Sequence, residues 1–221
     1  MNPPAAGTSD PGGRAAIATL PVGLRLEGRL AVVVGAGPIA ARKATSLVGA
    51  GAMLRVVAPH WSPAMEALPV IDDRRRTFQP ADLDGAWFVT AATGDPEVDG
   101  RVFAEAEARR LWCNAADDPD HCSVVLPAVA RRGPVSVAIS TGGRSPAVAS
   151  WLRRRIEALL DDGVDDVVEV AAGVRDRMRR AGRPTEVPGW AEVLDREALD
   201  LVRSGQRDEL ERRLEAAVLG R

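Results

Sequence analysis

The chain has 221 residues, 46% of them apolar, and a formal charge of −2. That length suits one large domain, or a main domain with a smaller one attached, and buries a core without disulfides. No apolar stretch approaches a membrane span and no basic block points to nucleic acid, so neither a membrane nor a nucleic-acid partner is expected.

Residues 1–19 lack a basic start followed by an apolar run. They read as a disordered leader rich in Pro, Gly and Ala rather than a secretory signal. "RLAVVV" (29–34) is β-branched and apolar throughout, as in a strand buried on both faces. From Pro38 to Val48 the pattern is helical, with Ile39, Ala40, Leu47 and Val48 available to pack and "GAG" (49–51) as the stop. A second strand is expected over 53–58, a weaker third over "RRRTFQ" (74–79) and a fourth over 86–92. A helix follows over 95–110, then a fifth strand over 111–116. Strands alternating with helices imply a doubly wound α/β domain.

After Asp120 the pattern changes. "CSVVLPAVA" (122–130) and "PVSVAIS" (134–140) flank Arg131, Arg132 and Gly133 and suggest a hairpin. A lone two-stranded hairpin is marginal in water and needs a surface to pack on, which a second subunit would supply. Helices are expected over 146–160, 163–181, 188–203 and 207–218. The expected organisation is thus α/β: a leader over 1–19, a Rossmann-like parallel-sheet domain over 20–118, a β-hairpin dimerisation segment over 119–145, and a helical C-terminal domain over 146–221.

"VVVGAGPIAARK" holds GxGxxA at Gly35, Gly37 and Ala40 between a strand and a helix, the context that gives this motif weight as a dinucleotide site. Gly35 permits the tight turn, Gly37 admits a pyrophosphate, and Ala40 lets the helix lie close to the strand. The helix N-terminus offers free N–H groups to the phosphates. The second strand ends in Val57, Ala58, Pro59 and His60, so the acid that would hold a ribose is missing; residues alone do not separate NAD from NADP. Lys43 is the only lysine, a bias toward arginine that reads as genome composition.

Four stretches in order carry a resemblance: "GAGPIAARKATSLVGAGAMLRVVAP" (35–59), "FVTAATGD" (88–95), "CNAADDP" (113–119) and "STGGRSP" (140–146). Across about residues 20–160 the chain resembles the precorrin-2 dehydrogenase family, which includes the N-terminal module of siroheme synthase. The resemblance implies oxidation of precorrin-2 to sirohydrochlorin with NAD, on the route to siroheme or cobalamin, by a homodimer built through the middle segment. Some members also insert iron, which would make Fe²⁺ a further substrate. Others carry a methyltransferase domain, for which the helical tail leaves no room. By position, cofactor contacts fall on Pro38, Ile39, Pro59 and His60, with Thr93 and Gly94 in addition. The family's aspartate falls on Asp117. The candidate substrate-binding residues, apart from the resemblance, are Asn114, Thr141, Arg144 and Ser145.

"CNAADDPDHC" (113–122) gathers both cysteines, one histidine and three aspartates. Ligands of open α/β sheets bind beyond the carboxyl ends of the strands, so Gly35, Thr93 and Asp117 should share one edge. There the Asp117 carboxylate is placed either to take a proton while a hydride leaves or to fix the orientation of the reacting ring. Asp118 and Asp120, around Pro119, suit a turn. Cys113 suits a buried position in the strand. Zinc on Cys113, His121, Cys122 and an aspartate would lack the close paired spacing of structural sites, and no metal is expected. In "STGGRSP" Ser145 is a natural N-cap with Pro146 at the first helical position, and Gly142 and Gly143 free the backbone. The stretch is either an anion pocket in which Arg144 pairs with a substrate carboxylate, or a plain helix start. Two cysteines without a disulfide framework fit a reducing cytoplasm. The alternative to an enzyme is an NAD-binding redox-sensing module.

Overall fold

In the computed structural model residues 17–160 and 162–220 are described. Residues 1–16 of the expected leader lie outside them. The chain divides into two compact units between Leu126 and Pro127.

The first unit is a parallel sheet of β1 (Leu30–Val34), β2 (Met53–Val57), β3 (Val70–Arg74), β4 (Phe88–Ala91) and β5 (Trp112–Ala115), in the order β3-β2-β1-β4-β5. Helices α1 (Pro38–Gly49) and α3 (Pro96–Ala108) connect it, with a one-turn α2 (Pro63–Glu66). Alternation along β1 divides the core. Ala31 and Val33 pack with Leu54, Val56 and Phe88 against Ala40, Ala44 and Leu47 of α1. Val32 and Val34 pack with Val57 and Val89 against Val102 and Ala106 of α3. Strands covered on both faces need apolar residues at every position, which is why β1 shows no polar alternation. The three inward alanines of α1, Ala40, Ala41 and Ala44, bring the helix axis close to the sheet. Ile39, expected to pack, is instead exposed.

The third strand lies earlier than "RRRTFQ" implied. It is Val70–Arg74, at the sheet edge, and residues 75–79 form the loop beyond it. An edge strand pairs on one side only and tolerates charge, so its apolar signal is weak. Here ion pairs secure it: Arg55 to Asp72 at 2.7 Å and Arg74 to Asp82 at 2.5 Å.

In the second unit, β6 (Ala128–Arg132) and β7 (Val135–Ile139) form an antiparallel hairpin. Its turn is Gly133–Pro134, since Arg131 and Arg132 pair with Ser136 and Val135. The first hairpin strand therefore begins at Ala128 rather than Cys122. Pro127 divides the expected run: it has no N–H for a ladder, and Cys122–Val124 return to β5. Asn114 and Cys122 form a bridge, and the Ser123 and Val124 N–H groups donate to the Cys113 carbonyl at 2.9 and 3.1 Å.

Helix α4 (Pro146–Leu159) packs on β6. The remaining helices are α5 (Val164–Arg180), α6 (Gly189–Val193), α7 (Arg196–Arg203) and α8 (Arg207–Leu219). They bury Val174, Met178, Val202, Leu210 and Leu214 together. The helix expected over 188–203 is two, because Asp195 caps α7 by accepting from the Glu197 and Ala198 N–H groups. Among the described residues no helix is long and apolar enough to cross a membrane.

Candidate functional site

The order β3-β2-β1-β4-β5 reverses direction between β1 and β4, and the glycine loop leaves β1 there. Gly35 has φ +108°, and a Cβ on it would fall 2.2 Å from the Ala92 carbonyl oxygen. The loop thus lies against the end of β4, and only glycine fits. Gly37 is different: its backbone is extended and a Cβ there would meet nothing within 4 Å. That empty side faces a cleft of about 330 Å³ bounded by Gly35, Gly37, Pro59, His60 and Thr93. A pyrophosphate fits such a cradle, with the first turn of α1 presenting its free N–H groups.

The far walls come from residues that no local pattern marks: Arg76 and Phe78 after β3, and Val98 and Arg101 on α3. Arg76 is anchored by Asp82, which its two terminal nitrogens meet at 2.8 and 2.6 Å. Asp82 is fully buried. Burial would raise its pKa, yet hydrogen bonds from Arg76, Arg74 and the Gln79 N–H prevail and hold it at about 2. Thr93 is fixed by Asp99, a buried acid that accepts its N–H at 3.1 Å and its hydroxyl at 2.8 Å. Pro38, Ile39 and Gly94 adjoin these residues in the chain without bounding the cleft.

Beyond β5 the Ala116 N–H donates to the Ala91 carbonyl at 2.8 Å, and Asp117 follows with φ +59°. Left-handed backbone is uncommon outside glycine, and Asp117 is exposed there. Asp118 then caps the 3₁₀ turn Pro119–His121, accepting from the Asp120 N–H at 3.3 Å. It also meets His121 Nδ1 at 2.5 Å, and this contact holds the Asp118 carboxyl below its usual range. His121 rests edge-on against Phe103.

The two cysteines occupy different surroundings. Cys113 is fully buried in β5, and burial pushes its thiol up to about 12. Cys122 Sγ accepts the Ala115 N–H at 3.2 Å and lies 3.2 Å from the Asp118 carbonyl. Both thiols are free, and among the described residues no group of three or more His, Cys, Asp or Glu is arranged to hold a metal ion.

Asn114 is 5% exposed on the α1 face of the sheet. Its Oδ1 accepts from Lys43 Nζ at 2.6 Å and its Nδ2 donates to the Val124 carbonyl at 2.9 Å. Its register neighbour Thr90 is fully buried, and the Thr90 hydroxyl has no hydrogen-bond partner among the described residues. In the second unit, Thr141 Oγ1 accepts the Ser145 N–H and donates to the Ser145 carbonyl, both at 3.1 Å. Ser145 in turn caps α4 through the Val148 N–H at 3.3 Å. Gly142 and Gly143 both have positive φ, and Arg144 is exposed.

A doubly wound sheet with a phosphate cradle at its switch point defines a dinucleotide-binding protein. Residues 22–128 match the family described as putative NAD(P)-binding, and residues 132–159 the one described as sirohaem biosynthesis protein central. The chain carries both segments in order and is similar to siroheme synthases and to a precorrin-2 dehydrogenase. It is 37% identical over 203 residues to siroheme synthase of Photorhabdus laumondii, covering 89% of this chain and 43% of that one. It is 40% identical over 163 residues to siroheme synthase 1 of Aeromonas salmonicida, covering 72% and 35%. Among solved structures it is similar to SirC, a precorrin-2 dehydrogenase, with a TM-score of 0.70 and 25% identity over 89% of this chain and 99% of that one. The chain spans less than half the length of the curated relatives it matches.

Proposed function

We propose that this chain oxidises precorrin-2 to sirohydrochlorin with NAD, as a cytoplasmic homodimer joined through the 119–145 segment. The observation that carries the reading is Asp117. It stands in left-handed backbone just past β5, on the same sheet edge as the glycine loop. NAD, when bound, supplies the hydride acceptor. Gly35 shapes the turn, Gly37 and the first turn of α1 (Pro38, Ile39) receive the pyrophosphate, and Pro59 and His60 flank the adenosine end. Thr93 and Gly94 border the nicotinamide end. Asp117 takes the proton that leaves as the hydride departs, so two electrons and two protons are accounted for across cofactor, carboxylate and solvent.

Arg144 is exposed beside two positive-φ glycines, suited to a substrate carboxylate. Thr141 and Ser145, bonded to each other, keep that loop in shape. Asn114, whose amide is engaged with Lys43 and Val124, supports the Asp117 loop from below. The test is anaerobic incubation with precorrin-2 and NAD, with and without Fe²⁺, following sirohydrochlorin, NADH and metallated product separately. NAD binding without any sirohydrochlorin would leave a redox-sensing module instead. Metallated product would appear only in the arm with Fe²⁺ if the chain also inserts iron.

A further inference from the structure

A plain adenosine ribose is held by an acid at the end of the second strand, whereas a ribose carrying a 2′-phosphate calls for a nearby arginine. Here β2 runs out into Val57, Ala58, Pro59 and His60, with no acid among them. No arginine follows directly in the sequence, but the fold brings one in from the neighbouring strand. The Arg74 carbonyl, at the end of β3, accepts the Ala58 N–H at 3.1 Å and the Arg76 N–H at 2.8 Å. Arg76 is thereby fixed beside the end of β2, and it borders the same cleft as Gly37, Pro59 and His60.

We propose that this end of the cleft is built for a phosphate on the adenosine ribose, so that the chain accepts NADP as well as NAD, with Arg76 as the residue that admits the phosphate. The inference deepens the proposed function and rests on it only for the cleft being the cofactor site. A guanidinium has five N–H donors. Three of those on Arg76 are used: Nη1 donates to the Thr77 carbonyl at 2.9 Å and to Asp82 at 2.8 Å, and Nη2 donates to Asp82 at 2.6 Å. Asp82 thus occupies the Nη1–Nη2 edge. The Nε–H and the second Nη2–H remain side by side, a fork that meets a phosphate bidentately. The Arg76 side chain is 39% exposed, while Asp82 behind it is fully buried and holds it in place. Charge points the same way. Within this network Arg55, Arg74 and Arg76 share two carboxylates, Asp72 and Asp82, which leaves positive charge in excess. On α3, Arg101 also borders the cleft, exposed and without a hydrogen bond or ion pair among the described residues. Among those residues the one acid bordering the cleft, Asp95, is engaged with the α3 N-terminus, accepting the Glu97 and Val98 N–H groups at 2.9 and 3.4 Å.

Calorimetric titration of the full chain with NADP and with NAD, in the absence of any tetrapyrrole, reads the phosphate directly. NADP should bind at least as tightly as NAD; weaker binding of NADP, or no binding of either, would overturn the inference. Arg76→Gln should lower the ratio of NADP to NAD affinity about tenfold or more, the loss of a hydrogen-bonded contact to a charged group. An unchanged ratio would overturn the inference even if both affinities fell, because Arg76 would then serve only the shape of the cleft. If Arg76→Gln does not fold, Arg76→Lys takes its place: it keeps a cation on Asp82, lacks the fork, and should lower the same ratio. Preference for NADP without any turnover on precorrin-2 would remove the proposed function and leave the inference standing; turnover with NAD preferred would do the reverse.

Discussion

Two glycines two residues apart should fail in opposite ways when substituted. In Gly35→Ala the new methyl would lie 2.2 Å from the Ala92 carbonyl oxygen and 2.6 Å from its carbon. Ala92 cannot retreat, because its N–H is bonded to the Val34 carbonyl at 2.8 Å. Left-handed backbone costs a non-glycine residue about 1–2 kcal/mol, and forcing a methyl into a packed site about 1–3 more. The sum, about 2–5 kcal/mol, is a large part of a typical total of about 5–15. At about 2–4 °C per kcal/mol for a chain of this size, melting should fall by roughly 5–20 °C.

Gly37→Val should do the reverse. Its backbone, φ −74° and ψ −179°, suits any residue, and the Cβ points into open space. Loss of the glycine N-cap costs up to about 1 kcal/mol. The valine methyls, however, fill the cradle, and NAD affinity should fall at least about tenfold, or ~1.4 kcal/mol. Calorimetric titration reads the affinity, and thermal melts with and without NAD read the linkage, since a ligand at about 100 Kd adds ~2.7 kcal/mol to wild type. Near wild-type affinity in Gly37→Val, or an unchanged melt in Gly35→Ala, would refute this division of labour.

Other measurements test the frame around the site. The Asp82 pKa in the folded chain, about 2, lies below the unfolded value. Its contribution of about 2 kcal/mol is therefore present above roughly pH 4 and lost as pH falls through 2; stability measured against pH should lack that step in Asp82→Asn. Thr90→Val should be neutral or stabilising, because a buried hydroxyl without a partner costs about 1–3 kcal/mol. A loss above about 1 kcal/mol on chemical denaturation would show that the hydroxyl has a partner. Sedimentation at micromolar concentration should give a dimer, and a stable soluble monomer would count against the role given to the hairpin.

What the sequence shows of this fold is whatever local chemistry marks. The strand, glycine loop and helix of 29–49 are legible because a β-branched run, a Gly-x-Gly loop and a helix-opening proline act within a few residues. The edge strand escaped because "VIDDR" is secured by ion pairs with Arg55 and Asp82, which no period reveals. The run 122–130 looked continuous because both halves are β-prone; only β5 recruiting Cys122–Val124 separates them. Within the site, Gly35, Gly37 and Thr93 follow strand ends and could be anticipated from topology. Arg76, Phe78 and Arg101 reach the cleft from a loop and a helix face whose placement depends on the finished fold.

Asp117 presents the sharpest conflict between stability and use. A turn at φ +59° is most easily made by glycine, and an aspartate there carries strain of about 1 kcal/mol. The flanks leave it no escape, since Ala116 is bonded to Ala91 and Asp118 caps the following turn. A position that only needed the turn would be as well served by glycine, whose greater unfolded-state entropy costs about 0.5–1 kcal/mol and nearly cancels the relief. Asp117→Gly and Asp117→Asn should therefore both keep stability within about 1 kcal/mol of wild type, with NAD binding intact. Both should lower oxidation of precorrin-2 by roughly 10²–10⁴-fold, the contribution of a positioned proton acceptor. Asp118→Asn should cost little turnover, because an amide caps the turn as a carboxylate does. Full activity in Asp117→Asn would remove the carboxylate from the chemistry and leave its left-handed backbone without a functional reason.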